Sequence, residues 1–290
     1  MEDPRTSSAA PIGLIAGAGR LPLEAVVRLR EQGRPVAAIA FEGLSDPALA
    51  TALSGDALRW MRLGALAAMR DALAELGVRR LLLVGAVPKS LLLDGRGLVA
   101  PDAEAVGLLA RLVDRGDEPL LRGLADWLVG AGFEVLSQEV WLAPLLAPVG
   151  AIAGRTPSSE ECADAVFGGG IVRALGRAGV GQSVVVKQGC VLAVEAIEGT
   201  DETIRRGGAL GGAGVTVVKG ARPGQDRRFD LPAVGPGTLR AMQAVGARAL
   251  AIEAGAALIL ERAEFRAIAE RSEIAVWGLS LDEAACEGSP

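Results

Sequence analysis

From Pro11 onward, short aliphatic runs alternate with amphipathic stretches, a pattern that predicts an α/β protein with a mostly parallel sheet. Strands are expected at 12–16, 36–41 and 81–87, and helices at 21–32, 65–76, 103–113 and 118–129, which together make a Rossmann-like N-terminal unit. The pattern breaks between 140 and 159, where Pro144, Pro148, Gly150, Gly154 and Pro157 cannot continue a helix or a central strand. A domain boundary is placed there. The expected fold is therefore two α/β domains, an N-terminal Rossmann-like nucleotide-binding domain at 1–145 and a C-terminal mixed α/β catalytic domain at 146–290, with a cleft between them.

Past the boundary, Ser158 and Glu161 have capping-box spacing, so a helix should run from 159 past Phe167, with Gly168, Gly169 and Gly170 as a break. Residues 184–187 and 191–195 flank Gln188-Gly189 and read as a hairpin or one bent strand. A helix at 201–207 is expected to be capped by Thr200, with Asp201 and Glu202 favourable in its first turn. Further strands at 215–218, 249–253, 258–260 and 274–277 are separated by helices at 239–245 and 264–271.

Composition narrows the chemistry. With 50% hydrophobic residues over 290 positions the chain can bury a large core, and with 3% aromatics and no tyrosine that core is aliphatic. The chain has no histidine, which removes a Ser-His-Asp triad, His-ligated zinc and His-rich phosphoesterase centres. A net charge of −5 with no basic run longer than two residues argues against a nucleic-acid partner. The uncharged stretch 140–154 is shorter than the ~20 residues that span a bilayer, and residues 1–11 lack a signal-peptide pattern, so a cytoplasmic location is expected. Cys162, Cys190 and Cys286 form no CxxC pair and are expected to be small packing residues.

Candidate chemistry concentrates between Lys187 and Thr238. Glu195, Glu198, Asp201, Asp226 and Asp230 are hard-oxygen donors, while Lys187, Arg205, Arg206, Lys219, Arg222, Arg227 and Arg228 are the anion-binding complement. Pro223-Gly224 is turn chemistry that displays Gln225 and Asp226 beyond a strand end. Surface salt bridges are the plainer alternative, but the dense alternation of acids and bases in two glycine-rich loops beyond strands speaks against it. Carboxylates beside phosphates repel, however, unless a cation such as magnesium lies between them. In the N-terminal half, Gly17-Ala18-Gly19 lies between a strand and a helix and exposes N–H groups to a phosphate. The dinucleotide fingerprint is incomplete because Pro22 stands at the third glycine, although Glu42 falls near the position of a ribose-binding acid. A nicotinamide-dependent oxidoreductase and a non-catalytic nucleotide-sugar or lipid binder remain alternatives. Gly85 to Lys89 ends a strand at the ligand-binding edge, where Lys89 meets a phosphate or simply solvent.

Four stretches carry a resemblance: IGLIAGAGRLP at 12–22, VGAVPK at 84–89, VVVKQGCVLAVEAIEGTDETIRR at 184–206 and KGARPGQDRRFDLPAVG at 219–235. They resemble the LpxI family, the UDP-2,3-diacylglucosamine pyrophosphatases of lipid A biosynthesis, over nearly the whole chain. Arg222 stands where the family signature KPGQDxRFDxP has lysine. The resemblance implies a hydrolase that converts a UDP-linked diacylated glucosamine to UMP and 2,3-diacylglucosamine 1-phosphate with Mg2+ or Mn2+. It points to Asp226 as the key acid, for metal ligation or activation of water. Glu195, Glu198 and Asp201 are the further candidate ligands, and Lys187, Lys219 and Arg222 would neutralise the pyrophosphate. Gly17, Gly19, Arg20, Leu21 and Lys89 would hold the nucleotide part, with Gln188, Gly189, Thr200 and Gln225 as further substrate contacts. Peripheral contact with the inner membrane, a homodimer, and closure of the two halves about 140–157 are further expectations.

Overall fold

A computed structural model describes residues 10–87, 99–112 and 117–280. The chain forms two compact units, one of Met1–Leu142 with Asp226–Asp230, the other of Ala143–Gln225 with Leu231–Pro290.

In the first unit β1 (Ile12–Ala16), β2 (Val36–Phe41), β3 (Leu58–Met61), β4 (Arg80–Val84) and β5 (Glu134–Val135) make an all-parallel sheet of order β3-β2-β1-β4-β5. Every residue of β1 and β2 is buried, the reason those runs are continuously apolar rather than alternating. Among the described residues the unit also has helices α1 (Leu21–Glu31), α2 (Leu49–Ala52), α3 (Leu66–Glu75), α4 (Ala103–Arg111), α5 (Asp117–Gly130) and α6 (Gln138–Trp141). Strand order reverses direction between β1 and β4, which makes the carboxyl ends of these two strands a topological switch point. One core cluster joins Ile39, Phe41, Met69, Leu73, Leu81, Leu83 and Leu128 to Phe229, which comes from far along the chain.

The second unit contains β6 (Gly150–Ala153), α7 (Ser159–Arg177), β7 (Ser183–Lys187), β8 (Cys190–Val194), α8 (Thr200–Gly211), β9 (Thr216–Lys219), β10 (Ala233–Val234), α9 (Pro236–Ala244), β11 (Ala249–Glu253), β12 (Leu258–Ile259), α10 (Arg262–Arg271) and β13 (Ala275–Leu279). Six strands pair in the order β6-β13-β11-β9-β7-β8, and β10 pairs with β12 separately. Strands β9, β11 and β13 are parallel, whereas β6 and β7 run against them and β8 against β7. The period of two divides each strand between two cores. Val185, Val217, Leu250 and Ile252 face Ile204, Leu239 and Phe265, while Val184, Val186, Val218 and Ala251 face Ala165 and Val172 of α7.

Several expectations change. The capping box at Ser158 and Glu161 is present, but α7 continues through Gly168 to Gly170. A Cβ on Gly168 would lie 2.7 Å from Val218 Cγ2, so glycine here admits the sheet rather than ending the helix. Gln188 and Gly189 form a hairpin turn with φ of 51° and 70°, the left-handed pair that a two-residue β-hairpin requires. The cap of α8 is Gly199, not Thr200, and the helix extends to Gly211. Strands β3, β5, β6 and β10 were not expected. Strand β6 sits in the proline- and glycine-rich stretch because it is a sheet edge, where a breaker on one side costs little. Within the stretch 140–157 expected to allow closure, α6 covers the start and β6 lies inside it, and Ala147 N donates to Ala257 O at 2.8 Å within the second unit. Cys190 is exposed at the start of the edge strand β8, so it is not a packing residue.

Candidate functional site

The switch point of the first unit is built backbone on backbone. Gly17 N donates to Val84 O at 2.7 Å, and Ala18 exchanges hydrogen bonds with Ala86 at 2.7 and 3.1 Å. A Cβ on Gly17 would stand 2.6 Å from Ala86 O, and one on Gly85, at φ 88°, would stand 2.7 Å from Ala18 O. The glycines therefore serve this close contact, and two N–H groups expected to meet a phosphate are already used. Gly19 and the first turn of α1, which has no side-chain cap, retain that capacity. Leu21 is buried, and Arg20 pairs with Asp46 at 2.9 Å. Hydrogen bonding from Ala48 N, and then from Arg20, holds the Asp46 carboxyl below its ordinary range. Ser45, missed in the sequence, ties the loop after β2 to β1 by donating to Ala16 O at 2.6 Å. Lys89 lies outside the described residues.

Asp226 belongs to the first unit. Its Oδ1 accepts from Arg228 N and Nε, both at 3.0 Å, and its Oδ2 accepts from Arg228 Nη2 at 2.7 Å. This guanidinium is the main reason that the Asp226 carboxyl is held below its usual range. The segment is fixed from outside by Gln138 N donating to Arg228 O at 3.0 Å and by a 2.6 Å ion pair between Arg227 and Glu139. Gln138 is itself buried and donates from Nε2 to Leu83 O at 2.7 Å, so the same residue braces the end of β4 and the Asp226 segment.

In the second unit a polar cell forms where β9 ends, β7 begins and α8 starts. Lys219, 5% exposed, donates from Nζ to Thr200 Oγ1 at 2.6 Å. Thr200 donates in turn to Glu195 Oε1 at 3.1 Å, and Ser183 Oγ lies 3.3 Å from the same hydroxyl. Burial pushes the Lys219 pKa down, against the attraction of Glu195 and Asp201. Glu195 Oε2 is buried without a hydrogen-bond partner among the described residues, which marks a place for a further donor or cation. Asp201 occupies the first turn of α8 beside this cell.

Other predicted residues lie elsewhere or are engaged. Because β7 runs against β9, with Ser183 opposite Lys219 and Val186 opposite Thr216, Lys187 is at the far edge of the sheet. Its Nζ donates to Gly211 O and Ala213 O at 2.7 and 2.8 Å, closing the end of α8. Gln188 N and Gly189 N both donate to Asp164, at 2.9 and 2.7 Å, so the hairpin turn is capped by α7. Glu198 accepts from Ala196 N, Thr203 Oγ1 and Arg206, a helix-entry role. Gln225 Oε1 accepts from Arg222 N at 2.8 Å and closes the Pro223-Gly224 turn. Glu253, missed in the sequence, accepts from Ala221 N at 2.6 Å at the end of β11.

The fold is that of a two-unit α/β protein, one unit with an all-parallel five-stranded sheet and the other with a mixed six-stranded sheet. The LpxI N-terminal domain model matches residues 11–145 and the LpxI C-terminal domain model matches residues 148–277. The UDP-2,3-diacylglucosamine pyrophosphatase LpxI of Caulobacter vibrioides is 31% identical over 284 residues, spanning 94% of this chain and 98% of its own length. The chain belongs to the LpxI family.

Proposed function

We propose that this chain hydrolyses the pyrophosphate of UDP-2,3-diacylglucosamine to UMP and 2,3-diacylglucosamine 1-phosphate in lipid A biosynthesis. The observation that carries this reading is the end-to-end match to the pyrophosphatase of Caulobacter vibrioides, which takes in both units. Lys219 supports it, because a cation held in a dry cell interacts with phosphate charge far more strongly than one in water. Asp226, kept ionised by Arg228, supplies a carboxylate acceptor for the attacking water.

A divalent ion, Mg2+ or Mn2+, is part of the proposal. Among the described residues no three Asp, Glu or Cys side chains gather as an all-protein cage. Magnesium needs only one or two carboxylates beside substrate phosphates, and the unpartnered Oε2 of Glu195 fits that need, with Asp201 also within electrostatic reach of Lys219. When bound there the ion would neutralise phosphate charge and acidify a water molecule. No described helix is long and apolar enough to cross a membrane, and work at the cytoplasmic membrane surface is proposed from the acylated substrate. The test is incubation of the purified protein with the UDP-linked lipid and magnesium. UMP release is expected, and its absence overturns the reading.

A further inference from the structure

We propose that Thr200 is a positioning residue: its hydroxyl aims the Lys219 ammonium at the substrate's phosphates and does not itself touch the substrate. This rests on the pyrophosphatase reading and assigns Thr200 a different task from direct substrate contact. A hydroxyl has one proton and two lone pairs. The proton of Thr200 goes to Glu195 Oε1 at 3.1 Å, so its lone pairs are left for the Lys219 ammonium at 2.6 Å and Ser183 Oγ at 3.3 Å. All of its hydrogen-bonding capacity is thereby spent on protein groups. Three directions of constraint fix the oxygen, and through it the tip of the long, buried lysine side chain.

The polarity of the chain supports the same assignment. Lys219, Glu195 and Ser183 are all buried, so the ammonium meets its counter-charge through an interposed hydroxyl. Beyond the one given to Thr200, the Lys219 ammonium carries two further N–H bonds, which are assigned to anionic oxygens of the substrate. Thr200 is placed for this by being the first residue of α8, with Gly199 as the cap. Freed from capping, the hydroxyl turns to the sheet.

The experiment uses the full-length protein carrying T200S, T200V, K219M or T200V with K219M, with UMP release and urea unfolding measured on each. T200S retains the hydroxyl and should turn over within about threefold of the parent. T200V should lose about 100-fold in kcat with KM changed less than about threefold, and K219M at least as much. Because Thr200 acts through Lys219, the double variant should be no slower than K219M alone. Parental turnover in T200V, or losses that multiply in the double variant, overturns the proposal; multiplication means that Thr200 meets the substrate itself. Should the parent release no UMP, the pyrophosphatase reading fails separately. Unfolding then still decides the contact, because non-additive shifts in midpoint support the Thr200–Lys219 bond and additive shifts overturn it.

Discussion

Asp226 and Arg228, two positions apart, are joined by a two-point ion pair with contacts of 3.0 and 2.7 Å. A carboxylate presented on a turn is thus already oriented by its own segment before any ligand arrives. Removing it should separate chemistry from stability. D226N is expected to lose 100-fold or more in kcat, about the scale of a lost acid-base group, while its unfolding midpoint at neutral pH falls only slightly, because Arg228 is partly exposed. Parental turnover in D226N would remove Asp226 from the mechanism.

The same pair sets a pH dependence. Arg228 depresses the folded-state pKa of Asp226 below its ordinary 3.8, so the pair's contribution is complete above that value and is lost as pH falls through the lower, folded-state one. Acid unfolding curves should therefore be shallower below about pH 4 in D226N than in the parent. Identical curves would mean that the pair contributes nothing.

Phe229 is 4% exposed within the core cluster of the first unit, although it lies more than eighty residues past that unit's main stretch. F229A should cost about 3–5 kcal/mol in urea unfolding, and F229L clearly less, because leucine leaves a smaller void. An unchanged midpoint in F229A would show that the segment is not anchored by this ring.

Lys187 lies at the opposite end of β7 from Ser183 and Lys219. Its ammonium closes the carboxyl end of α8, so K187M should cost about 1.5–3 kcal/mol of stability and keep turnover within a few-fold of the parent. A large fall in kcat with unchanged stability would return Lys187 to the site.

Chelation addresses the metal. Exhaustive treatment with a chelator should abolish UMP release, and magnesium or manganese should restore it better than zinc, since a site with oxygen donors and no histidine favours hard ions. Full activity after chelation would leave phosphate charge to Lys219 and the arginines alone.

Where burial alone decides structure, the sequence was a sufficient guide. Strands β1, β2 and β11 fall at the expected residues because uninterrupted apolar runs can satisfy their backbones and side chains only inside a parallel sheet. The Ser158 capping box and the Pro223-Gly224 turn were also legible, since their hydrogen bonds close within four residues. Short strands such as β5 and β10, two residues each, leave no periodic trace to read.

The candidate site divides along the same line. Residue types set the chemistry available, namely carboxylates, lysines and glycines without histidine, and the four matching stretches placed the chain in its family. Which of those groups meet was decided by pairings distant in sequence. Strand direction separated Lys187 from Lys219 by the length of a strand, because β7 runs against β9. Insertion of Phe229 into a core formed by residues far upstream assigned Asp226 to the first unit. Thr200 could be read locally as a cap, yet the buried ammonium of Lys219, nineteen residues on, claimed its hydroxyl. Local patterns encode hydrogen bonds that close over a few residues, whereas the partner of a buried charge is chosen by whatever the folded sheet brings beside it.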